Sequence, residues 1–242
     1  MNSVISGDDN CLNEQLPEYI YIFSAVSQKK SVIANCEKYD IARQESKEIH
    51  NLDKYLTAYG ACCHMSKIYM YGGKSTDGKR SDEFLQYSIF RDAWEQCEFK
   101  LTRPLSSFAS IIDECKLYIS GGSDGNLLTI FECLDLSINK WVQLAELSCK
   151  REDHSMVKGP DSNIYTIGGF NGAKALNICE RYSIKLNKWE IISPMLKNRR
   201  SLSCVAMPDG IYALGGFDGG DYLKSCEKYF FNLGMNSTQR NG

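Results

Sequence analysis

IYTIGGFNGAKALNICERYSIKLNKW, residues Ile164 to Trp189, holds a whole folding signal, and copies of it recur along most of the chain. Its opening IYTI is β-branched and aromatic, as suits a strand buried on both faces. Gly168 and Gly169 end that strand where a side chain would obstruct the backbone. Phe170 to Ala173 then supplies turn chemistry, since Asn171 and Gly172 tolerate positive φ. A second strand passes through Cys179, Glu180, Arg181 and Tyr182, and a polar turn at Asn187 and Lys188 leads into Trp189. One such unit cannot bury its own two faces, so it needs copies of itself on either side.

The copies align on the diglycine: Gly72 and Gly73 in IYMYGG, Gly121 and Gly122 in LYISGG, and Gly215 and Gly216 in IYALGG. A degenerate copy comes first and carries Ser24 and Ala25 in place of the glycines. Second strands end at Tyr39, Tyr87, Leu134, Tyr182 and Tyr229, and the middle three copies add Trp94, Trp141 and Trp189. A period of about 50 residues combining diglycine, Glu-x-Tyr and Trp is the kelch pattern, whose unit is a four-stranded propeller blade. The chain thus resembles the kelch-repeat domain of the kelch-like adaptor family from Tyr19 to Leu233. No tryptophan is followed by aspartate, which disfavours a WD repeat.

The resemblance implies an all-β, kelch-type β-propeller of about five four-stranded blades, either imperfectly closed or part of a larger propeller. Repeats are expected at 19–52, 56–100, 105–148, 151–195 and 200–233. Residues 1–18 read as a polar leader whose SVIS segment, Ser3 to Ser6, joins the first or last blade, and 234–242 as a disordered tail.

Composition excludes several classes of partner. The 242 residues carry 28 basic and 30 acidic side chains, a net charge of −2, which suits neither a general nucleic-acid binder nor a membrane-surface binder. No apolar run reaches the length of a membrane span, and the N-terminus lacks the basic and apolar regions of a secretory signal, so a cytoplasmic location is expected. The 11 cysteines are odd in number and follow the repeat: Cys36, Cys179 and Cys226 share a column with Phe131, each ahead of a glutamate. A column that accepts Phe or Cys is a core position in a reducing compartment. With no Cys-x-x-Cys and only His50, His64 and His154, no metal and no cofactor are expected.

The glutamate column, Glu37, Glu132, Glu180 and Glu227, would be costly to bury unpaired, and its recurrence with the blade period points to a repeated internal hydrogen bond or ion pair rather than to catalysis. Arg103, Arg151 and Arg200 stand some 15 to 18 residues ahead of their diglycines, where the second copy has Thr57. In kelch-like adaptors, arginines at this strand entrance and residues in the loop after the diglycine form the partner-binding face. The resemblance carries that role to Arg151 and Arg200, with Arg199 beside the latter and Arg103 ahead of Pro104, and to the loop residues Phe170, Asn171, Phe217 and Asp218. Guanidinium groups gathered there suit an acidic peptide through bidentate hydrogen bonds, whereas solvated turn charges would do nothing of the kind.

The implied function is a protein–protein interaction module that recognises a partner protein or peptide, as a substrate-recognition or scaffold component, with an indirect link to ubiquitin-ligase machinery. No BTB or BACK segment is read ahead of the repeats. The alternative is an enzyme on the same propeller, either a galactose-oxidase-like copper oxidase or a sugar epimerase. A copper site needs His and Tyr ligands that converge, and the three histidines occupy unlike positions of different copies, so a non-enzyme without catalytic residues is expected.

Overall fold

The computed structural model describes residues 3–6, 19–28, 31–52 and 54–231, without the side chains of 3–6 and 24–35. The rest of the expected leader and the expected tail at 234–242 lie outside the described residues.

Among the described residues nineteen strands form five antiparallel sheets. The first contains β1 (Ser3–Ser6), β2 (Tyr19–Gln28), β3 (Ser31–Asp40) and β4 (Glu45–Glu48). The second contains β5 (Gly60–His64), β6 (Lys67–Tyr71), β7 (Glu83–Ser88) and β8 (Ala93–Lys100). The third contains β9 (Ala109–Asp113), β10 (Lys116–Ser120), β11 (Phe131–Asp135) and β12 (Lys140–Gln143). The fourth contains β13 (Ser155–Lys158), β14 (Ile164–Ile167), β15 (Cys179–Ser183) and β16 (Lys188–Ile192). The fifth contains β17 (Ser203–Met207), β18 (Gly210–Leu214) and β19 (Cys226–Tyr229). In every sheet the spatial order of the strands is their order in sequence, the meander of a propeller blade. The fifth sheet has three strands among the described residues.

The diglycine bends the chain out of the second strand of each sheet that has it. Gly168 and Gly169 hold φ at +65° and +106°, and a Cβ on Gly168 would sit 2.4 Å from the Arg199 carbonyl oxygen. The first sheet, with Ser24 and Ala25 there, has no such exit. Its β2 and β3 run on as one long hairpin, paired without a break from Tyr19 and Asp40 to Gln28 and Ser31. The Ser3–Ser6 segment pairs with β2 as the first strand of that sheet.

The chain divides into two compact units: Met1–Tyr118 with Ser123–Asn126 and Leu134–Trp141, and Ile119–Gly122 with Leu127–Cys133 and Val142–Gly242. In the first unit, Tyr21, Phe23, Cys36, Ile68, Met70 and Tyr87 make a buried cluster. Trp94 closes it edge-on to Phe23, at 5.4 Å between centroids, and its indole N–H donates to the His50 carbonyl at 3.0 Å. In the second unit, Trp189 repeats this arrangement against Phe131 (4.9 Å) and Tyr182 (5.1 Å), donating to the Ala145 carbonyl at 2.7 Å. A separate cluster there packs Tyr165, Ile167 and Cys179 with Leu202, Ile211 and Ala213.

Among the described residues no helix is long and apolar enough to cross a membrane.

Candidate functional site: the strand lead-ins and diglycine loops

The residues that lead into each first strand set the geometry here. Ala58, Ser107, Asp153 and Ser201 all adopt left-handed φ of 52° to 56° just before their strands. A non-glycine residue costs roughly 1–2 kcal/mol in that conformation, and none of the four is glycine. Neighbouring copies are tied at this point. Ser107 N–H donates to the Ala58 carbonyl at 2.9 Å in the first unit, and Ser201 N–H to the Asp153 carbonyl at 2.8 Å in the second.

This arrangement corrects the arginine register. Arg151 and Arg199 occupy equivalent places. Gly122 N–H donates to the Arg151 carbonyl and Gly169 N–H to the Arg199 carbonyl, each at 2.8 Å. Both side chains are wholly buried at 0% exposure. Arg151 Nη2 pairs with Glu180 Oε1 and Nη1 donates to the Gly168 carbonyl at 3.1 Å, while Glu180 Oε2 accepts the Ser148 N–H at 3.0 Å. Arg199 pairs with Glu227 Oε1 at 3.0 Å and donates to the Gly215 and Ser225 carbonyls at 2.7 and 2.8 Å. The glutamate column is thus an ion-pair column in the last two sheets. Arg151 and Arg199, expected on a partner-binding face, have their guanidinium groups enclosed by their own sheets. Charges that bind a partner must reach solvent, and these are consumed by the fold.

Arg103 lies two residues ahead of Leu105, the true counterpart of Arg151 in its copy, since Gly73 N–H donates to the Leu105 carbonyl at 2.8 Å. It is half-buried, and its Nε lies 3.3 Å from Thr102 Oγ1. Asn171 and Asp218 shape their loops. Asn171 Oδ1 accepts the Ala173 and Lys174 N–H groups, each at 3.0 Å, and Asp218 Oδ1 accepts those of Gly220 and Asp221, each at 2.8 Å. These donors, the Asp221 N–H first, hold the Asp218 carboxyl below its ordinary range.

Arg200 differs from its neighbour because it points the other way. Its backbone bridges to Phe217, and its guanidinium carbon lies 5.0 Å from the Phe170 centroid and 5.1 Å from that of Phe217. Two aromatic faces flank one cation, each contributing about 0.5–1 kcal/mol where exposed. Among the described residues its guanidinium N–H groups have no hydrogen-bond acceptor. Beside it opens a cavity of about 390 Å³ lined by Asp153, Arg200, Ser201, Gly216, Phe217, Tyr222 and Leu223. Tyr222 is 86% exposed and its ring lies 5.2 Å from that of Phe217. Of the residues singled out from sequence, Phe170, Arg200 and Phe217 therefore meet. Tyr222 and Asp153 were not singled out. The signal for Tyr222 was its bridge position opposite Phe217, the place that Ala175 takes opposite Phe170.

The second unit also holds a buried polar pair, His154 Nε2 against Ser120 Oγ at 2.8 Å. Burial first and the Arg151 charge second push the His154 pKa well below its ordinary value. No three His, Cys, Asp or Glu side chains gather as a metal site among the described residues.

Residues 14–236 match the family described as the KLHDC2/KLHL20/DRC7 Kelch-repeats domain. The chain is a kelch-repeat protein. Human Kelch-like protein 23 is 29% identical over 186 residues, 74% of this kelch chain and 32% of that protein. Zebrafish (Danio rerio) Kelch-like protein 41b is 25% identical over 133 residues, 54% of this chain and 22% of the relative. Beta-scruin of Limulus polyphemus is 31% identical over 130 residues, 50% and 14% of the two chains. The kelch chain thus spans about a third or less of the length of these relatives. The solved structure of YjhT superposes with a TM-score of 0.80 at 13% identity, covering 98% of this chain and 83% of that one, so the two share the β-propeller fold.

Proposed function

We propose that this kelch-repeat protein is a protein-interaction module which binds an acidic segment of a partner protein at Arg200, between Phe170 and Phe217. One observation carries the reading: an arginine held between two aromatic faces, with its guanidinium donors unengaged among the described residues, beside an open cavity. The aromatic faces limit the rotamers of Arg200, so less side-chain entropy is lost when a carboxylate docks in bidentate fashion. Phe217 and Tyr222 supply apolar area beside the charge, the combination common at interface hot spots. Asn171 and Asp218 support the site by fixing the two loops. Arg103 stands as an outlying contact. Service as a cytoplasmic substrate-recognition or scaffold component, joined indirectly to ubiquitin-ligase machinery, is the role this reading suits.

The test is affinity capture from lysate with the purified chain against its Arg200→Ala and Arg200→Lys variants, with the thermal midpoint recorded for each. Expected is a partner retained by wild type, lost with alanine and weakened with lysine, at midpoints within about 2 °C, since a partly exposed side chain contributes little to folding. Equal capture by all three proteins would overturn the reading.

A further inference from the structure

Among the described residues the same main-chain slot occurs in four sheets and is filled in three. In the second sheet, Leu105 of the following copy docks one residue into it: its N–H donates to the Ser81 carbonyl at 3.1 Å and its carbonyl accepts the Gly73 N–H at 2.8 Å. Arg151 does the same with Leu128 (3.2 Å) and Gly122 (2.8 Å), and Arg199 with Leu176 (2.9 Å) and Gly169 (2.8 Å). The fifth sheet builds the identical slot, because Leu223 N–H donates to the Gly216 carbonyl at 2.8 Å as Leu176 N–H does to Gly169. There, however, the Gly216 N–H and the Leu223 carbonyl have no partner among the described residues, and both line the 390 Å³ cavity. The surroundings of the preceding glycines show the same contrast. At Gly72, Gly121 and Gly168 a Cβ meets the docked carbonyl at 2.7, 2.4 and 2.4 Å, whereas at Gly215 the nearest atom is Leu223's own oxygen at 3.4 Å.

The flank beside the slot agrees. By strand register, Val157, Tyr165, Ile167 and Cys179 of the fourth sheet correspond to Val205, Tyr212, Leu214 and Cys226 of the fifth. The fourth sheet's set is covered by Leu202, Cys204, Ala206, Ile211 and Ala213, and Ile167 is 2% exposed. In the fifth, Leu214 is 39% and Val205 42% exposed, and Cys226 is open to solvent. Apolar side chains of matching type have been kept where nothing described lies over them.

From this slot and flank we infer that the fifth sheet is a docking surface for an extended, strand-forming segment of another polypeptide, with the pattern of a kelch lead-in and first strand. Its docking residue donates to the Leu223 carbonyl and accepts from the Gly216 N–H. A large side chain three residues later, in the place of Leu202, then lies by the diglycine, and small apolar residues at alternate positions, in the places of Cys204 and Ala206, cover Val205, Tyr212 and Leu214. The chemistry is fixed by what fills the equivalent slot of the fourth sheet. The slot opens into the cavity that Arg200 also lines, while the flank of Val205, Leu214 and Cys226 lies outside the lining of that cavity.

The probe is a fluorescent peptide of residues 196–207, LKNRRSLSCVAM, titrated against the full chain by anisotropy, with amide hydrogen exchange at Gly216. Expected is saturable binding that slows exchange at Gly216. An Arg199→Pro peptide, which lacks the N–H for Leu223, should bind about tenfold more weakly. Leu214→Glu in the protein should weaken binding similarly while the protein stays folded. Absent or unsaturable binding, indifference to both the proline peptide and Leu214→Glu, or a Gly216 amide already as protected as Gly169 in the free chain would each overturn the inference. Dimers that exclude the peptide and are broken by Leu214→Glu would assign the surface to a second copy of this chain and equally overturn a foreign strand.

Discussion

The fourth and fifth sheets carry matching side chains in matching columns and bury them to different degrees. Both sheets hold a buried arginine paired to a third-strand glutamate, both hold two left-handed glycines, and both present Val, Tyr, an aliphatic residue and Cys on one flank. The fourth sheet has a fourth strand with Trp189 on its outside and the fifth sheet over its flank. The fifth has neither among the described residues. A repeat's residues set which contacts a sheet is able to make, while its neighbour decides how much free energy those residues return.

The largest effect expected from breaking this comparison lies at the ion pairs. Arg151→Ala leaves Glu180 fully buried without its counter-charge and should cost about 3–5 kcal/mol in urea unfolding. Arg199→Ala should cost less, because the Glu227 side chain is 15% exposed and keeps the Leu196 and Lys197 N–H groups. Equal losses would mean that the two sheets are equally enclosed.

Next come the flanks. Ile167→Ala should cost about 2–5 kcal/mol, whereas Leu214→Ala, at the matching position, should cost under about 1 kcal/mol. A large loss at Leu214 in the purified chain would show that its flank is covered in solution.

The smallest effect depends on pH. His154 stands where the fifth sheet has Leu202. When unfolded it takes up a proton below about pH 6.5, but in the fold burial and Arg151 keep it neutral to well below that value. The unfolded state therefore binds more protons as pH falls, and stability should drop from pH 6.5 toward 5 by up to about 1.4 kcal/mol per unit. His154→Leu should remove this part of the slope in pH-dependent unfolding, whatever it does to stability at pH 7. An unchanged slope would place the proton uptake elsewhere.

Much of the fold was legible in local chemistry. Diglycines and glutamates answer to a requirement of their own copy, a left-handed exit and an internal counter-charge, and Trp94 and Trp189 close on an aromatic residue of the copy before. The first sheet confirms the logic from the other side, since without glycines its strands do not stop. The candidate site was only partly legible. Arg199 and Arg200 are adjacent, and strand-like alternation sends one guanidinium into the sheet and the other between Phe170 and Phe217. A one-residue error in register exchanges their roles, so Arg151 was grouped with Arg200 when its counterpart is Arg199. The cysteine column misled in a different way. Cys36 and Cys179 are buried as a core column should be, yet Cys226 in the same column is exposed.

What the sequence by itself determined, then, is the repeat: an all-β chain of kelch units, with the places where each strand must end and each charge must be answered. Only the tertiary structure decided which arginine is spent inside a sheet, which one stays available, and which flank stands open. Those outcomes depend on the neighbouring sheet, and a local pattern specifies the face a residue points to without specifying what lies against it.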